Sequence, residues 1–141
     1  MTSPLFLTME VAACLILLAG CARDEIPCQS NPEIFCGAFI EIRAGLEDEE
    51  LELIKSSKVG DDHTLMSDIG GYARAHLGLW GENEFTSFFR EQGVSHPDTM
   101  SNFVADGFIL YLNGKPVDMV VMLAADRKRK EELLRRLGGQ E

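Results

Sequence analysis

The residues best suited to chemistry are the histidines and their neighbours. His96 and Asp98, in Ser95-His96-Pro97-Asp98, form the most catalytic-looking pair, because a carboxylate can orient an imidazole for proton transfer. Both also stand where a helix would start, and capping accounts for them fully. His63, His76 and His96 are not at helical spacing from one another, and His76 falls on an apolar face, where a core histidine is expected rather than a ligand. No nucleophile elbow, phosphate loop, zincin pair or Cys/His metal spacing occurs, so neither a cofactor nor a metal ion is expected. The acidic stretch Leu46–Ile54 lacks the alternating Asp/Asn positions and turn glycine of an EF-hand loop and reads as a solvated helix face. The basic run Arg127-Lys128-Arg129-Lys130, with Asp126, Glu131 and Glu132 beside it, reads the same way, docking on anionic lipid or on a partner being the alternative. Trp80, Phe85, Phe88 and Phe89 are assigned to the core. Trp80, His96 and Asp98 are nevertheless the candidate binding residues, and no residue is assigned a catalytic role.

The chain has 141 residues, 13 basic against 23 acidic, for a formal charge of −10. That balance argues against a nucleic-acid partner, since phosphate neutralisation needs clustered Lys and Arg. It also disfavours attachment to anionic lipid through the protein surface, so any membrane attachment must use a hydrophobic anchor. From Leu5 to Leu18 the chain is largely apolar, too short for a span of roughly 20 residues but of the length of a signal-peptide core. The following tetrapeptide, Leu18-Ala19-Gly20-Cys21, closely resembles the lipobox of bacterial lipoproteins. The resemblance implies cleavage before Cys21, a diacylglycerol thioether on its sulfur, and membrane lipid as a partner through that residue. Ala22 in place of the aspartate that retains Gram-negative lipoproteins at the inner membrane implies the outer membrane, facing the periplasm. Glu10 interrupts the apolar run and no Lys or Arg precedes it, which departs from the usual signal. The alternative is an apolar helix buried in the domain.

On the lipoprotein reading Cys14 is removed and Cys21 acylated, which leaves Cys28 and Cys36. In an oxidising compartment these two can pair as a structural disulfide; otherwise they are two free thiols. Their spacing is not Cys-x-x-Cys, so a redox site is not expected. The polar, proline-containing segment around them has linker composition. The expected organisation is a signal peptide over 1–20, a lipidated terminus and tether over 21–36, and a helical domain over 37–141.

The positioning elements are helices. One short helix is expected over Leu46–Ile54, its acids suited to the positive end of the helix dipole. A second runs over about Thr64–Leu79, with Leu65, Ile69, Tyr72, Ala73, His76 and Trp80 on one face. A third starts at Asn83, a good N-cap, and ends at Gly93. The fourth carries the cleanest stripe, Met100, Phe103, Val104, Gly107, Phe108, Tyr111 and Leu112, and stops at Asn113-Gly114 before Pro116. A last helix covers about Asp118–Leu137; its Met119-Val120-Val121-Met122-Leu123 start could also be a strand, but no partner strand is evident. The fold class is therefore all-α, a small bundle of about four to five helices.

Gly78-Leu79-Trp80, Phe88-Phe89, Gly93-Val94, His96-Pro97-Asp98-Thr99-Met100-Ser101 and Leu112-Asn113-Gly114-Lys115 together resemble an uncharacterised bacterial domain family patterned GLW, aromatic pair, HPDDMS and LNGK. Thr99 stands at the second aspartate of that pattern. The resemblance implies a compact, mostly helical domain and no activity. The function expected is a lipid-anchored envelope protein that binds an unidentified protein, as an inhibitor or immunity-type factor. The alternative is a small envelope hydrolase using His96 and Asp98.

Overall fold

A computed structural model describes residues 26–60 and 64–138, side chains within 64–67 aside. In chain order these form β1 (Ser30–Asn31), α1 (Ile34–Ala44), α2 (Asp48–Lys55), α3 (Thr64–His76), α4 (Glu84–Glu91), α5 (Pro97–Leu112), β2 (Val117–Asp118) and α6 (Met119–Gly138). The domain is all-α, as its periodicity implied, apart from one two-residue parallel pairing.

That pairing joins the start of the described chain to the link between α5 and α6. Ser30 lies opposite Val117 and Asn31 opposite Asp118, and Val117 N–H donates to the Gln29 carbonyl at 2.8 Å. The strand therefore falls at Val117–Asp118, while Met119–Leu123 are helical. Asp118 Oδ1 accepts the Val121 N–H at 3.0 Å, so the residue that ends the strand also starts α6. This hydrogen bond is the first cause of the lowered pKa of Asp118, with the Asn31 amide second.

Residues 26–36 were expected to be tether, and the packing corrects this. Phe35, Ala38, Phe39 and Ile42 recur at helical spacing on α1 and are buried, while Ile26, Cys28 and Ile34 pack against the core. The stripe crosses the expected boundary at residue 36, where Pro27 and Pro32 suggested linker. Phe35 is the hub: its ring lies 5.6, 5.5 and 5.7 Å from those of Phe85, Phe88 and Phe89. Phe39 stacks on Tyr111 at 5.5 Å, tying α1 to α5.

Helix α5 is the central element, packing on α1, α2, α3, β2 and α6. Met100, Val104, Phe108, Tyr111 and Leu112 are buried, as the stripe implied, but Phe103 is only partly buried at its edge. Gly107 is required by close approach: a Cβ there would lie 2.7 Å from Met119 Cε and 2.9 Å from Phe39 Cζ. In α6 only Met119 and Leu123 are buried.

Candidate functional site

Pro97 occupies the first turn of α5, and His96, extended in backbone, caps it: His96 Nδ1 accepts the Asp98 N–H at 3.2 Å. Asp98 Oδ1 meets Arg74 Nη1 from α3 at 3.2 Å, and Arg74 also donates to Ser101 Oγ at 3.0 Å. Ser101, wholly buried, donates in turn to the Asp98 carbonyl at 2.8 Å. The sequence pair is thus brought together, but as a cap that fastens α5 to α3. His96 and Asp98 side chains remain 65% and 57% exposed. In a dyad of the serine-protease kind the imidazole donates its Nδ1–H to the carboxylate that orients it. Here Nδ1 accepts a backbone N–H instead, with Asp98 Oδ2 at 3.7 Å.

Trp80 corrects a core assignment, being 70% exposed. It sits on the turn after α3, where Gly78 adopts φ +58° and Gly81 N–H donates to the Gly78 carbonyl at 2.9 Å. Asn83 clamps this turn to α4. Its amide donates to the Leu77 and Gly78 carbonyls at 2.8 and 3.0 Å, and its Oδ1 accepts the Phe85 and Thr86 N–H groups at 3.0 and 3.1 Å. Buried Thr86 completes the capping box by accepting the Asn83 N–H at 2.9 Å. An exposed indole is therefore carried on a turn that Asn83 fastens to the end of α3 and the start of α4. Leu77 and Leu79 fill the core positions that the stripe also offered to Trp80 and His76.

His76 is exposed rather than buried, its ring 3.7 Å from that of Tyr72. It lines a cavity of about 260 Å³ together with Glu41, Asn83, Glu84 and Phe85. His63 lies outside the described residues, as do Cys21 and the whole expected signal segment.

A larger cleft, about 730 Å³, separates α5 from α6 and was not foreseen. Phe103 and Met122 line it together with Asn102, Asp106, Asp126 and Lys130. Burial raises the pKa of Asp106, against the opposing hydrogen bond from Gly60 N–H at 2.8 Å. Burial also pushes Asp126 up, but hydrogen bonds from Lys130 and Arg129, with their charges, hold it below the usual carboxylate value. The only signal for this cleft was the polar side of the α5 stripe, where Thr99, Asn102 and Asp106 recur at helical spacing.

Cys28 and Cys36 stand at disulfide distance, with Cα atoms 5.7 Å apart. Among the described residues no group of three His, Cys, Asp or Glu is placed to hold a metal ion, and no helix is long and apolar enough to cross a membrane. The acids of α2 serve its start, Glu50 accepting the Glu47 N–H at 2.8 Å.

The family model that matches is described as a domain of unknown function (DUF6794) and covers residues 32–112, more than half of the chain, which therefore belongs to this family. No curated protein and no solved structure matches. The match runs from α1 to the end of α5. It contains the histidine cap, the tryptophan turn and the His76 cavity, while α6 and its wall of the larger cleft lie beyond it.

Proposed function

We propose that this member of the DUF6794 family is an exported protein held on the outer membrane by lipid on Cys21, its domain a non-enzymatic module that binds another protein, of the inhibitor or immunity type. The observation that carries the binding part is Trp80, 70% exposed on a turn immobilised by Asn83. A large exposed aromatic side chain on a pre-ordered turn loses little freedom on association, and tryptophan is enriched among residues that dominate interface energetics. The engagement of His96 Nδ1 as a cap acceptor supports a binding module over a hydrolase built on His96 and Asp98.

Support for export is the lipobox-like Leu18-Ala19-Gly20-Cys21 behind an apolar run, joined to the Cys28–Cys36 pair. A covalent bond between these two belongs to the same reading, because oxidising compartments preserve disulfides. Two measurements test the proposal. Fatty-acid labelling should mark the wild type and not Cys21→Ser, which should leave the membrane fraction; equal labelling of both defeats the anchor. Crosslinking in the native envelope should yield an adduct that Trp80→Ala loses and His96→Ala keeps. An adduct indifferent to Trp80 defeats the binding surface.

A further inference from the structure

Helix α6 outruns the domain it belongs to. Met119 and Leu123 are buried, and Arg127 still reaches the body, donating to the Gln92 carbonyl at 3.0 Å. From Lys128 to Gly138, about 16 Å of helix at ~1.5 Å per residue, no residue is buried. Leu133, Leu134 and Leu137 are 55%, 68% and 61% exposed. They follow Met119 and Leu123 by roughly three to five turns, so they prolong the core-facing stripe past the edge of the core. Arg127, Arg129 and Arg136 flank that stripe and Lys130 lies on it, and residues 127–138 hold six basic against two acidic residues in a chain of charge −10.

The complementary surface is on α2. Leu51 and Ile54 face inward, and Leu53, 51% exposed, lies on the opposite face with Glu49 and Glu52 at helical spacing. Helix α2 ends beside the C-terminal end of α5, where Asn113 Nδ2 donates to the Lys55 carbonyl at 3.0 Å. Helix α6 starts near that same end and runs back past the first turns of α5, bringing Arg129 and Lys130 to the same cleft as Thr99 and Asn102. The basic leucine stripe and the acidic leucine face therefore belong to helices that do not pack substantially on each other within one molecule.

We propose that the overhang of α6 docks on α2 of a second copy of this chain. Leucine packs on leucine, and the net positive charge of residues 127–138 meets Glu49 and Glu52; Arg129 and Arg136, which pair along α6 with Asp126 and Glu132, share those contacts with the neighbour's acids. A flat anionic bilayer fits less well: the stripe faces the same side as the domain body, which a plane would meet first, whereas a neighbour's helix is narrow enough to enter beneath the overhang. This contact is independent of lipid on Cys21 and of Trp80.

The test is sedimentation of the full chain in non-ionic detergent over a range of concentrations, at low and high salt. Wild type should self-associate, less so at high salt. Arg129→Glu/Arg136→Glu and Glu49→Lys/Glu52→Lys should each be monomeric, with circular dichroism showing the helical content of the wild type. Their equimolar mixture should associate at least about tenfold more tightly than either alone, which corresponds to ~1.4 kcal/mol, because both contacts regain opposite charges. Leu134→Gln/Leu137→Gln should weaken association without changing its salt response. A wild type monomeric throughout, or a mixture no different from its components, overturns the proposal. So does a monomer that floats with phosphatidylglycerol vesicles and loses this on Leu134→Gln/Leu137→Gln, the result expected of a bilayer-binding helix.

Discussion

Phe35 and Trp80 are both large aromatic residues, and their surroundings are opposite. Phe35 is wholly buried among four other phenylalanine rings, while Trp80 presents most of its surface to solvent. The difference lies in where the chain carries each one. Phe35 is on the inward face of α1, in register with Ala38, Phe39 and Ile42. Trp80 follows α3, after Gly78 has turned the backbone away from the helical path, so the period that would have buried it no longer applies. Burial here follows backbone direction more than residue type, and the energetic consequences divide accordingly.

The sharpest break in this contrast is Phe35→Ala, which should destabilise the fold by about 3–5 kcal/mol, the range for a buried phenylalanine left as a cavity. Phe103→Ala should cost clearly less, since Phe103 is only partly buried beside the cleft. Denaturant unfolding of the two variants checks the order; equal losses would contradict Phe35 as hub. The proposed Cys28–Cys36 bond should contribute about 2–3 kcal/mol on the loop-entropy estimate. Alkylation with and without reductant, followed by thermal melts, reads both the bond and its effect.

His96→Ala should cost only about 1 kcal/mol, the loss of a cap. Rescue by asparagine, a better N-cap, would support capping as its role.

Asp126 gives a pH-dependent contrast with Asp106. Its carboxyl, held low by Lys130 and Arg129, stabilises the fold above the ordinary carboxylate range near pH ~4, and that contribution should be lost as pH falls through the lowered folded value. Asp126→Asn should flatten the acid limb of a stability–pH curve. Asp106, raised by burial, has the opposite sign: its neutral form favours the fold, so stability attributable to it rises as pH falls through its folded value. Smallest of all on stability is Trp80→Ala, expected within about 0.5 kcal/mol of wild type while abolishing the crosslinked adduct. A large drop in melting temperature would show that Trp80 supports the domain after all.

Local signals in the chain determined the helices. The stripe from Met100 to Leu112, the Asn83 cap and the Asn113-Gly114 stop depend on residues within a few turns of one another, and each appears where its spacing places it. The family resemblance pointed to a domain without assigned chemistry, and the Asp98-His96 pair was open to capping from the start.

Tertiary structure alone decided the rest, because the deciding partners are far apart in sequence. β1 pairs with β2 across most of the described chain, and neither two-residue strand carries a pattern of its own. Proline and polar neighbours hid α1 behind linker composition, although its apolar period was present, and only contact with α4 made Phe35 the hub. The exposure of Trp80 and His76, the cleft between α5 and α6, and the bare leucines of α6 all depend on where neighbouring elements end. A residue's periodicity says which face it occupies; only the placement of distant elements says whether that face is covered.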